Sequence, residues 1–150
     1  MFKVASTIVI DASVVAKWLL PDEQGSAAAN RVKKDLVERT LLIAVPVFIF
    51  YEVNNLLKSA ALSSRIDPKK AAAAYEGFLN LELSVYSSKE ILKHTLDKAF
   101  ELDISSYDAS YVALAEYLQV PFYTADEKLV KKSQSKWVKD LEEYLENLGD

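Results

Sequence analysis

Short apolar runs rich in β-branched residues alternate along this chain with longer stretches whose apolar positions recur at helical spacing. Residues 7–10 (Thr-Ile-Val-Ile) and 41–45 (Leu-Leu-Ile-Ala-Val) are continuous apolar runs, as strands buried on both faces require. Residues 83–86 and 120–123 repeat the pattern, and Pro121, which lacks a backbone donor, places the start of the latter strand beside it. Residues 137–138 add a candidate edge strand. Helical spacing covers residues 14–20, stopped by Pro21, and then residues 26–38. It resumes over 46–61 with Pro46 in the first turn, and over 68–79 behind an Asp67 cap with Pro68 leading. Residues 88–102 carry apolar positions at Ile91, Leu92, Leu96 and Ala99, and 105–118 open on a capping box, Ser105 with Asp108. The tail is amphipathic through Leu141, Tyr144, Leu145 and Leu148. Such alternation predicts one three-layer α/β/α domain over residues 1–150, with a central parallel sheet of four to five strands and right-handed crossovers.

Composition narrows the chemistry. The chain has no cysteine and one histidine, His94, which excludes thiolate metal sites, cysteine nucleophiles and a two-histidine acid–base nuclease. His94 is expected as a partly exposed helix residue and Trp18 as a packing anchor, Tyr107 and Tyr123 as core or strand residues. No run approaches the roughly 18 apolar residues of a membrane span, and no signal-like leader precedes the first strand, so a cytoplasmic location is expected. The formal net charge of −4 is wrong for a general nucleic-acid coat protein but compatible with an acidic catalytic pocket rimmed by lysine. The basic clusters are residues 31–34, Lys69-Lys70 and Lys131-Lys132, followed by Lys136 and Lys139; each has the ordinary explanation of a solvated helix face.

In open α/β sheets, ligands gather beyond the carboxyl ends of the strands. Asp11 directly follows the first strand, and Asp126 lies just past the fourth. Glu52 sits near the start of the helix after the second strand, and Asp108 in the first turn of the helix that feeds the fourth. Four acids distant in sequence therefore share one rim. Capping a helix is the competing explanation for Asp11, Asp108 and Asp126, since helix starts favour acids. Glu52 is harder to dismiss, because it sits in the apolar run 48–53, where an unpaired carboxylate is expensive.

The segments IVIDASVVAKWLLPDE, PVFIFYEVNNLL, SSYDASYVALAEYL and VPFYTADEKL resemble the successive motifs of the PIN-domain family, and within it the VapC-type toxins of prokaryotic toxin–antitoxin pairs. The likeness runs from about Ile8 to Leu129, and all the family's acidic positions are filled. It implies a PIN-like fold, catalytic and metal-holding roles for Asp11, Glu52, Asp108 and Asp126, and nearby hydroxyls at Ser13 and Thr124. It further implies a Mg²⁺- or Mn²⁺-dependent endoribonuclease, the toxin of a type II pair, that forms homodimers and is held by a VapB-like antitoxin protein. Carboxylates without histidine or cysteine suit such hard cations; one ion or two is left open. Asp126 or Glu52 is the candidate for orienting the attacking water. Rim lysines would contact RNA phosphates, and Tyr107 or Tyr123 could stack on a base.

Other readings compete. A haloacid-dehalogenase-type phosphatase needs a second acid where Ser13 stands. A receiver-like domain expects an acidic pair at the first strand, though Lys128 is available. A PIN-domain RNA-processing nuclease outside a toxin–antitoxin pair, and a PIN-like module that binds RNA or protein without cutting, remain the nearest alternatives.

Overall fold

The computed structural model describes residues 5–149. Its element order is β1 (Ser6–Ile10), α1 (Ala12–Leu19), α2 (Ala27–Val37), β2 (Leu41–Pro46), α3 (Ile49–Leu62), α4 (Pro68–Leu79), β3 (Ser84–Tyr86), α5 (Lys89–Leu102), α6 (Ser106–Leu118), β4 (Phe122–Thr124), α7 (Glu127–Ser133), β5 (Val138–Asp140) and α8 (Glu143–Glu146). Short 3₁₀ turns at Pro21–Glu23 and Asn147–Gly149 complete it. The five strands form one parallel sheet in the order β3-β2-β1-β4-β5. This is the three-layer α/β/α architecture expected.

β1 is central and fully buried over its last three residues. The chain turns one way from β1 to β2 and β3 and the other way to β4 and β5, so the order reverses between β1 and β4. Such a switch point leaves a crevice beyond the strands' carboxyl ends. Register brings Ile10 opposite Tyr123, so that Asp11, just past β1, and Thr124, the last residue of β4, meet at the crevice.

The caps expected at Asp67 and Ser105 hold, and Ser26 and Ser88 cap α2 and α5 as well, each accepting from backbone N–H groups of its helix. Most boundaries shift by one or two residues, α1 starting at Ala12 and β4 at Phe122, and one residue changes element. Pro46 is the last residue of β2, not part of a helical first turn; α3 starts at Ile49, and Val47 N–H donates to Tyr86 O beside it. A proline at the end of a strand forfeits only one ladder donor, which the sheet tolerates. The apolar positions of α5 also divide otherwise than expected: Ile91 is buried, whereas Leu92, Leu96 and Phe100 are 61%, 54% and 79% exposed. In the tail, Leu141 and Tyr144 enter the core while Leu145 and Leu148 stay partly in water.

Trp18 anchors α1, the helix that begins with the site. It is buried, and its Nε1–H donates to Ala29 O of α2 at 2.8 Å. Trp18→Phe is expected to lower stability by about 1–2 kcal/mol, because a buried hydrogen bond and part of the ring's packing are lost. Urea unfolding followed by circular dichroism checks this; an unchanged midpoint would remove Trp18 as the anchor.

Candidate active site

Asp11 stands at the centre. It is 6% exposed and caps α1, with Oδ1 accepting from Ser13 N–H at 3.1 Å. The Ser13 hydroxyl donates to the same oxygen, and the Thr124 hydroxyl donates to Oδ2 at 2.6 Å. Each hydroxyl in turn accepts a backbone N–H: Ser13 from Ala125 at 2.9 Å and Thr124 from Asp126 at 3.1 Å. Two hydroxyl relays therefore tie the turn after β4 to one buried carboxylate. Burial still dominates, pushing the Asp11 carboxyl up to about 6 against the opposing hydrogen bonds, with the Asp108 charge adding to the rise.

Glu52, half-buried in the first turn of α3, accepts a short hydrogen bond from the Tyr111 hydroxyl. Burial raises its pKa, and the charges of Asp11 and Asp108 add to that. Tyr111 was not anticipated. It is buried, stacks on Phe122 (centroids 5.5 Å, 21° between planes) and tilts against Phe48 (5.4 Å). Its hydroxyl is driven far above the usual phenol range, by burial first and then by Glu52, so it remains a donor. The usable signal in the sequence was spacing, since Tyr111 lies three residues after Asp108 and shares its helix face.

Asp108, also half-buried, has a raised pKa from burial and then from the Asp126 charge. Ser105 Oγ accepts the Asp108 N–H at 3.0 Å, but among the described residues the Asp108 carboxylate does not return a bond to the Ser105 N–H. The capping box is thus half made. Asp126 is exposed and caps α7, its Oδ1 accepting from Lys128 and Leu129 N–H at 3.1 and 3.2 Å. Tyr123 is buried as expected; Tyr107 is not core but 68% exposed, its ring 5.6 Å from Phe48 beside Asp108. Trp18 is the buried anchor expected, and His94 is a partly exposed residue of α5 that meets Glu116 at 2.9 Å.

All four acids thus lie on the rim of the switch point. They are neighbours without forming a cage: among the described residues, no three acidic side chains converge tightly enough to grip one ion as they stand. The donor set nevertheless fits a hard cation. A carboxylate offers about four lone-pair positions, and Asp11 uses three of them, leaving one on Oδ2. The charges of Asp108 on Asp11, of Asp11 and Asp108 on Glu52, and of Asp126 on Asp108 each raise the neighbouring pKa, and among the described residues no lysine or arginine pairs with these acids.

A family model described as PIN domain matches residues 8–134. The chain belongs to the PIN-domain family. Ribonuclease VapC3 of Pyrobaculum aerophilum is similar to this PIN domain at 32% identity over 127 residues, covering 83% of this chain and 93% of the relative. Ribonuclease VapC1 of Mycobacterium tuberculosis is 32% identical over 122 residues, covering 81% and 86%. Among solved structures, that of PAE2754 from Pyrobaculum aerophilum matches with a TM-score of 0.73 at 25% identity, over 99% of this chain and 98% of that one. VapBC2 from Rickettsia felis, solved bound to a DNA fragment from its promoter, shares the fold with a TM-score of 0.65 at 12% identity, over 89% and 98%. The two rival folds fall away. A receiver-like sheet runs 2-1-3-4-5, whereas β1 is central here and β3 lies at the edge. The position a dehalogenase-type phosphatase gives to its second acid holds Ser13, bonded to Asp11.

Asp11 holds its proton up to about pH 6 in the folded chain but only to its ordinary 3.8 when unfolded. The folded state therefore binds the extra proton, and the metal-free protein loses stability as pH rises through that window. Asp11→Asn, which keeps a capping oxygen, is expected to make the metal-free protein about 2 kcal/mol more stable at pH 7 and to flatten the slope between pH 4 and 6. Melting curves across that range provide the check; an unaltered slope would mean that Asp11 is not the strained group.

Proposed function

We propose that this PIN domain is a VapC-type endoribonuclease, the toxin of a type II toxin–antitoxin pair, dependent on Mg²⁺ or Mn²⁺. One observation carries the reading: the buried Asp11 carboxylate, held by two hydroxyl relays at the switch point, with Glu52, Asp108 and Asp126 gathered on the same rim. The ribonuclease names of the relatives support it.

Asp11 would be the fixed metal ligand through Oδ2, with Asp108 and Asp126 ligating directly or through water. A divalent ion bound there supplies an acidified water and charge stabilisation on the phosphate and the leaving oxygen. Glu52 is better suited than Asp126 to orient the attacking water. Its Oε1 is fixed by Tyr111, which leaves Oε2 as an acceptor, and its raised pKa suits it to take a proton. The Asp126 oxygen, by contrast, is engaged at the start of α7.

The partner assignments follow from charge and from exposed apolar surface. VapBC and other toxin–antitoxin complexes are among the structural neighbours. An antitoxin protein that inserts a basic side chain would find the acidic rim complementary. A second copy fits α5: Leu92, Leu96 and Phe100 form an exposed ridge at i, i+4, i+8, larger than single scattered residues. Beside the ridge, Lys89 and Lys93 occupy the first half of α5, and Asp97 and Glu101, the latter also bonded to Lys98 at 2.9 Å, the second. Antiparallel pairing of two such helices sets opposite charges against each other while covering the ridge. Among the described residues, no helix is long and apolar enough to cross a membrane.

Purified protein is expected to cut single-stranded regions of total RNA in Mg²⁺ or Mn²⁺ and to stop in EDTA. Asp11→Asn and Asp108→Asn should each lower kcat by more than about 100-fold, since each removes part of the hold on the transition-state charge. Cleavage that persists in chelator would overturn the proposal. Leu96→Glu is expected to convert a dimer to a monomer in sedimentation without unfolding it; a wild-type monomer at micromolar concentration sinks the α5 assignment.

A further inference from the structure

The acids that would act on RNA also repel it. A chain of net charge −4 with an uncompensated acidic rim needs cations of its own to seat a polyanion beside that rim. One feature of the surface answers this need. A cleft of about 460 Å³ opens between the start of α6 and the outer face of α7, lined by Asp103, Ser105, Asp108, Asp126, Lys128 and Lys132. It shares two acids with the candidate active site, so it is the rim's direct extension. Its two cations lie four residues apart on α7 and therefore on one face of that helix.

We propose that Lys128 and Lys132 form a phosphate-binding lane for the RNA strand, holding a phosphodiester next to the one being cut. The inference rests on the ribonuclease reading and adds to it the direction in which the strand leaves the acids. Backbone donors cannot serve in their place, because the Lys128 and Leu129 N–H groups are already bonded to Asp126 Oδ1. Both lysine side chains are exposed, as a surface lane requires. Lys132 has one competitor: Asp103, 98% exposed, lies 3.7 Å from its ammonium. Asp103 ends α5 in a left-handed conformation (φ 52°), which fixes its backbone at the cleft's lip. A pair so exposed is weak and easily exchanged for a phosphate. Asp103 therefore acts as a placeholder, keeping Lys132 turned toward the cleft until a stronger anion arrives.

The test uses a fluorescein-labelled single-stranded RNA, with anisotropy measured on Asp11→Asn protein and cleavage measured on otherwise unsubstituted protein. Lys128→Gln/Lys132→Gln is expected to weaken RNA binding about tenfold and to raise KM similarly, with kcat within twofold. The slope of log Kd against log salt should fall by about 1.4, two contacts at roughly 0.7 each for single strands. Asp103→Asn is expected to tighten binding about twofold, a gain that damage to the fold would not produce. Lys69→Gln/Lys70→Gln on the exposed start of α4 is the control and should change neither. Wild-type affinity and salt slope in the α7 double variant would overturn the lane while leaving the ribonuclease reading intact. Lysine-dependent binding without metal-dependent cleavage would leave the lane standing and remove the nuclease. Failure of the unsubstituted protein to bind RNA at all would overturn both.

Discussion

A carboxylate almost wholly removed from water, at the end of the central strand, is the constraint on which the rest of this structure turns. Isolated, such a group would protonate or swing out. Here Asp11 stays because three elements converge on it: α1 brings the Ser13 N–H and hydroxyl, β4 brings the Thr124 hydroxyl, and the turn beyond β4 supports both hydroxyls with the Ala125 and Asp126 N–H groups. The Ser13 contacts are local to the start of α1, but the Thr124 hydroxyl and the Ala125 N–H reach the site only because β1 and β4 pair in the observed register. The site is therefore a product of the sheet order, and the register of the sheet can be read from the site.

For these acids, helix capping and the proposed catalytic role are compatible. Asp11 caps α1, Asp126 caps α7, and Glu52 and Asp108 occupy the first turns of α3 and α6. Helix N-termini carry partial positive charge that favours an acid by up to about 1 kcal/mol each at exposed positions. Four helix starts pointed at one crevice thus reduce the cost of assembling four acids there. They do not cancel it, since burial and mutual repulsion still raise the pKa values of Asp11, Glu52 and Asp108. The remaining strain is a reservoir that a bound cation would relieve, and the standoff between the acids is the form it takes.

Strands, their parallel pairing and most helix caps were legible in the sequence because each rests on a local signal: a β-branched run, a period, a Ser or Asp before a helix. The four acids were legible as a group through the strand-end rule and the family motifs. What escaped depends on tertiary environment. Pro46 carries the same local signal at a strand's end as at a helix's start, and only the pairing of β2 with β3 decides between them. Leu92 and Leu96 look like core in a one-dimensional pattern, but α5 packs on α6 through another face, which includes Ile91 and Thr95. Tyr107 lies in the first turn of α6, outside the packed interior, so an apolar ring there meets water. Tyr111 escaped because its role depends on Glu52, which is 59 positions away.

The layout of charge follows from the same geometry. Helix starts face the crevice, so acids collect there, and the basic residues of a short helix such as α7 are left for its sides and far end, where Lys131 and Lys132 lie. Such an arrangement puts a positive flank within one or two turns of a negative centre without any ion pair collapsing the two together. Asp126 strengthens the separation, because its carboxylate is engaged by backbone N–H groups instead of by Lys128. Had the lysine paired with that acid, neither charge would have been free for the proposed cation and phosphate. Spending backbone donors on the acid leaves both charges available, which is what the proposed site, with a metal and a polyanion side by side, would require.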